Sequence, residues 1–590
     1  MKTNYIWLFI IGTYVLTGCD LEELPVATTS KNEIFGTETG LNLYSNSFYN
    51  ALPSGNDIVT EDYLSDINAR KDRIIFLTEG AFNATSTEAG WDWGSLRNIN
   101  FFLSNNEDPA VPVQIRQHYN ALAKFWRAWF YYEKVKRFGD VPWINKPLDV
   151  SDPQLHAGRD PRIMVMDSVI ADLNYAIEHI NGNDASRTLV TRDVALAFKS
   201  RICLYEGTFR KYHSELGLSG TVDAWLTESA NASRILMDEN NYSIFTGAGT
   251  ELSYRQLFTR VSPVASEIIF GRAWDIGLGL LHGANWHYTS STYGVQLSPI
   301  RTFIQTYLMT DGTPFTDIEG HETMVFSEEV KNRDHRLKQS IRTGDYTRIS
   351  GNEQVSALPQ FSYTLTGYYP IKWSLDDMYY DSDTRNDNFV SIFRFGEILL
   401  NYAEAKAELG TLTDADWAET VGVLRARAGI SGGLDAKPTV ADPYLQSTFF
   451  PNISDPAILE IRRERSIELY LEVSRFDDIR RWKRGELMEM PWDGIYVPTA
   501  NQPMDLNDDG VFDVYFYYGE LPPVGERIPG VSYLNITPSP GNLRTLSNGT
   551  SGEILWLTTQ PRTWEDKLYH YPIPERHRIL NPNLGQNPGW

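Results

Sequence analysis

The residues that could do covalent chemistry are few, and their spacing does not suit it. Gly429-Ile430-Ser431-Gly432-Gly433 matches G-x-S-x-G, the frame that holds a serine nucleophile on a sharp strand-to-helix turn. Here it follows the end of a helical pattern and no helix begins after it, so the context of a nucleophile elbow is missing. His321-Glu322 lacks a second histidine at the spacing of a helical zinc site, and the 10 histidines are scattered without ligand spacing. No phosphate-cradling P-loop or G-x-G-x-x-G is present. A glycoside hydrolase needs two carboxylates across one bond, and with 76 acids composition does not decide that question. One oxygen-rich motif stands out. Asp505, Asn507, Asp509 and Asp513 fall at positions 1, 3, 5 and 9 of a calcium-type loop, with Gly510 at position 6. Position 12 is Phe516 instead of a bidentate glutamate, and the flanking segment reads as strand, so the loop is not an EF-hand. Two readings stay open: a structural Ca2+ that raises thermal stability, or a solvated Asx turn. No other cofactor is called for.

The other reactive group is a thiol. Tyr5 to Leu16 form an apolar run of 12 residues behind Lys2, too short for a spanning helix of about 20 residues. The run ends Leu16-Thr17-Gly18-Cys19, which resembles a bacterial lipobox. Residues 1–18 are therefore read as a signal peptide and Cys19 as the lipidated new N-terminus, because a thiol can form the thioether to lipid. Asp20, Glu22 and Glu23 then suggest a hydrophilic tether over 19–45. Cys203 is the only other cysteine and sits in an apolar helical stretch, as a small core residue would. No later apolar run is long enough to span a bilayer.

The elements that position these residues are mostly helical. The chain has 590 residues and a net charge of −23, which argues against nucleic acid as a partner because phosphate contacts need a basic face. Leu122, Phe125, Trp126, Trp129, Tyr132 and Val135 recur at helical spacing, with Gly139 and Pro142 as the stop. Asp160-Pro161 reads as the start of a helix to Ile180, Thr191 as the cap of one ending at Gly207, and Trp225–Met237 as another. These helix pairs suggest a TPR-like stack, although the second pair begins about 77 residues after the first and any repeat is degenerate. Residues 243–390 read as loops with short strands. Helices return at Phe395–Leu409 and around Ala418–Ala428, followed by a long charged helix from Asp455 to Arg484.

These pieces, in this order, resemble the SusD/RagB family of surface lipoproteins. The matching blocks are Cys19, WGSLRNINFFL from Trp93, Phe138 to Pro142, AFKSRICLYEGTF at 197–209, and Tyr307 to Pro314. They continue through Asn332 to Leu337, Gly367-Tyr368-Tyr369 with Lys372, Arg394 to Ala405, and Leu424 to Gly429. Arg462 to Trp482, Tyr571 to Pro574 and Asn581 to Gly589 complete them. The resemblance implies a mostly α fold: a TPR-like α-α superhelix of degenerate helix pairs, a large loop-rich capping region and short strands. It implies an N-terminal helical region over 46–240 and a C-terminal region over 241–590, with the returning helices at 395–484. It also implies a non-catalytic lipoprotein of the cell outer membrane. Such a protein captures an oligosaccharide and acts as the lid of a SusC-like TonB-dependent importer. A peptide-binding, RagB-like lid, a surface glycoside hydrolase and a ligand-free helical scaffold are the alternatives.

Sugar recognition wants flat exposed rings with polar groups at their edge. Trp286, His287, Tyr288 and Tyr293 lie among small polar residues that cannot bury them as a core would. A second stretch holds Trp91, the expected platform, beside Trp93, expected to pack at a helix start. Asp92, Asn83 and Arg70 are its expected hydrogen-bonding partners. The resemblance places ligand residues in these two regions; the alternative is that the rings only pin long loops. Phe125–Tyr132 is expected to be core. The charged block from Arg462 to Trp482 is read as an ion-pair lattice holding loops to the helical half, with Glu460/Arg463 and Arg465/Glu468 as local pairs.

Overall fold

The computed structural model describes residues 31–87 and 90–590. The signal segment 1–18, Cys19 and the tether up to residue 30 lie outside the described residues. From Lys31 the chain is already part of the globule. Helices Lys31–Phe35 and Glu38–Ser45 bury Phe35 and Leu41, and the Phe35 ring meets Phe102 at 5.7 Å. Residues 31–45 are therefore not tether, because their apolar side chains have a core to enter.

In chain order the helices used below are α1 (Gly94–Leu103), α2 (Val113–Phe138), α3 (Arg162–His179), α4 (Arg192–Tyr212) and α5 (Val222–Asp238). They continue with α6 (Ala284–Thr289), α7 (Phe395–Glu408), α8 (Pro456–Glu468) and α9 (Arg475–Arg481). Short strands β1 (Asn68–Ala69), β2 (Ile268–Arg272), β3 (Ser298–Pro299) and β4 (Val390–Arg394) pair antiparallel as β1/β3 and β2/β4. The expected face of α2 is buried throughout, from Leu122 to Val135. It stops at Gly139, whose φ of 72° suits glycine and whose N–H donates to the Val135 carbonyl at 3.0 Å. Thr191 caps α4, its hydroxyl accepting from the Val194 N–H at 3.4 Å. The helix runs past Gly207 to Tyr212. Gly207 is a contact point, since a Cβ there would lie 2.8 Å from Leu226 Cδ2 on α5. At the start of α3 the expected cap is displaced. Asp140 Oδ1 accepts the Arg162 N–H at 2.7 Å, while Asp160 accepts from the Trp143 N–H.

Helix α2 packs on α3 and α4 on α5, while α7 lies across α4 and α5 and carries α8. The result is a TPR-like helix stack with a loop-rich half built on small sheets. Two large apolar cores form, with three smaller clusters beside them, and the large ones do not follow chain order. Ile58 to Leu77 enter the core of the loop-rich half, and Phe393 to Leu424 enter that of the helix stack. Each half thereby lends a segment to the other.

The charged segment is two helices, not one. Between α8 and α9, Leu471 and Val473 hold φ of 60° and 59°, a strained state for residues with a Cβ. Distant groups impose the break. Asp62 accepts the Leu471 N–H at 2.8 Å, Trp373 Nε1 donates to the Leu471 carbonyl at 2.8 Å, and Lys372 Nζ donates to the Tyr470 carbonyl at 2.6 Å. The lattice is buried. Glu468 pairs with Arg336 at 2.9 Å, Arg394 at 2.5 Å and also Arg427. Burial works against its charge, but Arg427, Arg394 and Arg336 hold its carboxyl well below the usual range. Glu460 and Arg463 pair at 3.0 Å as expected, whereas Arg465 takes Asp478 at 2.8 Å instead of Glu468.

Candidate functional site

The 286–293 segment forms a ring platform whose shape depends on one glycine. Helix α6 points Asn285, His287 and Tyr288 inward and leaves Trp286 half-buried. Asn285 Nδ2 donates to the Leu375 carbonyl at 2.9 Å and to Asp381 at 3.1 Å. After α6 the chain folds back so tightly that a Cβ on Gly294 would lie 1.8 Å from the His287 carbonyl oxygen. Only glycine permits that approach. The turn lays Tyr293 on Trp286, with ring centroids 3.8 Å apart and planes within 9°. Tyr293 stays 40% exposed, so the stacked pair presents ring surface to solvent.

Two of the expected platform rings are corrected to core. Tyr288 is buried, its hydroxyl donating to the Val59 carbonyl at 2.7 Å, and its own carbonyl accepts from Tyr369 at 2.9 Å. His287 is buried beneath the pair, with Nε2 shielded and without a hydrogen-bond partner among the described residues. Burial pushes its pKa down to about 4, and the nearby positive charges of Arg70 and Lys71 add to the effect. A neutral imidazole is therefore the resident form at pH 7.

Of the second expected group, only Arg70 comes to this platform. It follows β1, and Lys71 ties the same segment to the loop: its N–H donates to the Val295 carbonyl at 2.8 Å and its Nζ to that of Ser291 at 2.9 Å. The Arg70 guanidinium lies over the Tyr63 ring at 4.8 Å. Trp91 is buried, 4.8 Å from Phe138 and 5.4 Å from Trp93. Trp91 is thereby corrected from platform to core, while the half-buried Trp93 packs at the start of α1 as expected, its ring 5.5 Å from that of Phe130. Asp92 accepts the Gly94 N–H at 3.0 Å at the start of α1. Asn83 closes its own turn, donating to the Gly80 carbonyl at 3.1 Å and accepting from the Thr85 and Ser86 N–H groups at 3.0 Å.

Sequence reasoning missed Tyr379 and Arg385. The turn Met378–Asp381 packs on α6, and the Arg385 guanidinium sits 4.8 Å from the centroid of the exposed Tyr379 ring. Thr384 Cγ2 and Tyr293 Oη both flank Gly283, at 3.4 and 3.5 Å from where a Cβ would stand. The signal was available: Tyr379-Tyr380 lies in a run of Ser, Asp, Thr and Asn like the one around Trp286.

The 505–513 loop closes on its own hydrogen bonds. Asp505 accepts the N–H groups of Asn507 at 3.0 Å, Asp508 at 2.7 Å and Gly510 at 2.8 Å. Asp509 accepts from the Val511 N–H at 2.8 Å and Asp513 from that of Leu506 at 2.8 Å. Burial, with Asp505 and Asp509 adding like charge, pushes Asp513 up. Among the described residues no group of three or more His, Cys, Asp and Glu side chains is placed to hold a metal. These bonds are those of an Asx turn. Ser431 Oγ donates to the Thr310 carbonyl at 3.1 Å, and that bond gives it no activating base.

The fold and this face define a helix-pair repeat protein whose loops carry an aromatic platform. The SusD family model matches residues 266–590, more than half of the chain, and the protein belongs to the SusD family. The family is one of binding proteins and not of enzymes. A relative, SusD-like protein P2 of Formosa agariphila, is 24% identical over 85% of this chain and 94% of its own. A SusD-like carbohydrate-binding protein of Bacteroides fragilis superposes with a TM-score of 0.66 at 19% identity, covering 93% of this chain and 99% of that one. Surface glycan-binding protein A of Bacteroides fluxus gives 0.56 at 16% identity, covering 94% and 100%.

Proposed function

We propose that this protein is a cell-surface lipoprotein that captures an oligosaccharide and serves as the lid of a SusC-like TonB-dependent importer in the outer membrane, anchored through Cys19. The observation that carries the sugar reading is the Trp286–Tyr293 stack, with ring centroids 3.8 Å apart and Tyr293 open to solvent. A planar ring surface suits the C–H face of a pyranose, and Arg70, whose charge acts on His287 beneath the pair, supplies donors on that side. Relatives whose names specify carbohydrate and glycan binding support the reading. Family membership supports the lid role, in which ligand would favour the closed state through differential affinity. A glycan array followed by calorimetry tests capture: the expected result is saturable binding without turnover, and release of reducing sugar by the pure protein would contradict it. Co-purification of a β-barrel with the lipidated protein tests the partner. The 505–513 loop is proposed to need no ion to hold its turn, which Asp505, Asp509 and Asp513 close through N–H groups; a Ca2+ would take the lone pairs these carboxylates keep and Asn507 Oδ1, which is shielded and without a partner among the described residues.

A further inference from the structure

A cavity of about 590 Å3 lies where the helix stack meets the loop-rich half; Tyr63, the ring beneath Arg70, lines it, and none of Trp286, His287 and Tyr293 does. Its lining is densely charged, and most of that charge is paired. Glu397 takes Arg201 at 2.6 Å, Asp477 takes Lys136 at 2.7 Å, Asp478 takes Arg465 at 2.8 Å and Glu472 takes Arg394 at 2.7 Å. Glu133 also pairs with Lys136, at 3.0 Å, and Arg481 pairs with Glu404 at 2.6 Å. Asp57 is the lining carboxylate outside an ion pair; it accepts the Ser54 N–H at 2.8 Å. Three lining cations remain without a carboxylate in ion-pair contact among the described residues: Lys134, Arg137 and Arg480.

Their surroundings make that imbalance costly. Lys134 is 8% exposed; its Nζ donates to the Gly90 carbonyl, lies 4.7 Å from the Phe130 ring centroid and has no carboxylate in ion-pair contact among the described residues. Burial pushes its pKa down to about 8; Asp92 pulls the other way, and the neighbouring charge of Arg137 adds to the depression. Arg480 is 4% exposed; its Nη2 serves the Lys136 and Tyr569 carbonyls, while its Nε is shielded and unpartnered. Arg137 stands one helical turn after Lys134 on α2. Its guanidinium lies 4.3 Å from the Tyr571 centroid and has no acceptor among the described residues, and its Nε is shielded. Gly90 allows the chain to close over it, since a Cβ there would come within 2.9 Å of Arg137 Nε and Nη1. Buried cations without counter-charge destabilise a fold, and an arginine fork is shaped for two oxygens of one anion.

We propose that this cavity is an anion site, which takes a small oxyanion group on the Arg137 guanidinium with Lys134 and Arg480 supplying the surrounding positive field. The group is a carboxylate or a tetrahedral oxyanion, and the site is independent of the sugar platform.

The test is thermal melting and calorimetry of the mature chain with sodium sulfate, inorganic phosphate or sodium glucuronate, against sodium chloride at equal ionic strength. The expected result is a saturable rise in Tm with at least one of them. Glucuronate alone would assign a carboxylate, and sulfate or phosphate alone a tetrahedral group. Arg137→Met is expected to lose the rise and to melt no lower than the wild type in chloride, while Trp286→Ala keeps the rise. If Arg137→Met does not fold, Arg137→Gln takes its place. Melting that depends on ionic strength only, or a saturable rise that survives the loss of Arg137, would overturn the proposal.

Discussion

Two stretches look alike in the sequence and end in opposite environments. Both 91–93 and 286–293 place large rings among small polar residues. Trp286 stays at the surface because Gly294 lets the chain return and cap it with Tyr293. Trp91 goes inside because Phe138, at the end of α2, is waiting for it. Local composition reports whether neighbours in sequence can bury a ring. It does not report whether distant ones will.

The comparison can be broken by mutation. Trp91→Ala should cost about 3–5 kcal/mol in urea unfolding, the usual range for a buried tryptophan; a loss under about 1 kcal/mol would return Trp91 to the surface. His287 separates the platform from its support. Its folded pKa lies below that of the unfolded chain, so its stabilisation is present above about pH 6.5 and is lost as pH falls towards about 4. His287→Gln should therefore flatten the acid loss of stability in that window, by at most about 3 kcal/mol, and equal slopes for variant and wild type would refute the depressed pKa. Tyr379→Ala should weaken sugar binding only a few-fold, about 1 kcal/mol, if its ring is an outer edge of the same face. A loss as large as that of Trp286→Ala would make it part of the centre. Smallest of all should be calcium. After chelator treatment, excess Ca2+ should move Tm by less than about 1 °C, and a rise of several degrees would give the 505–513 loop an ion.

Much of the frame was legible in the sequence. The apolar stripe of α2, the Thr191 cap and the ordered blocks from Trp93 to Gly589 act locally, so pattern reveals them. What stayed hidden was set at long range. The break at Leu471 and Val473 depends on Asp62, Lys372 and Trp373, none of which is near in sequence. The buried lattice around Glu468 draws on Arg336, Arg394 and Arg427, so its strongest pairs are not the helical neighbours. In the site, Trp286 and Tyr293 were readable as rings in a polar loop, but their stacking was not. The burial of His287 and Tyr288 follows from the inward face of a helix of 6 residues, too short to show periodicity. Arg70 reaches the platform because β1 pairs with β3, a contact that spans more than 200 residues. Tyr379 could have been found by the rule that found Trp286.

The most direct test of the account is calorimetry of Trp286→Ala and Trp91→Ala side by side, with an oligosaccharide that the wild type binds. Trp286→Ala should keep its Tm within a few degrees and lose at least about ten-fold in affinity, near 1.4 kcal/mol. Trp91→Ala, measured below its lowered Tm, should bind as the wild type does. Unchanged affinity in Trp286→Ala, or its loss in a folded Trp91→Ala, would contradict the placement of the sugar on the Trp286–Tyr293 pair.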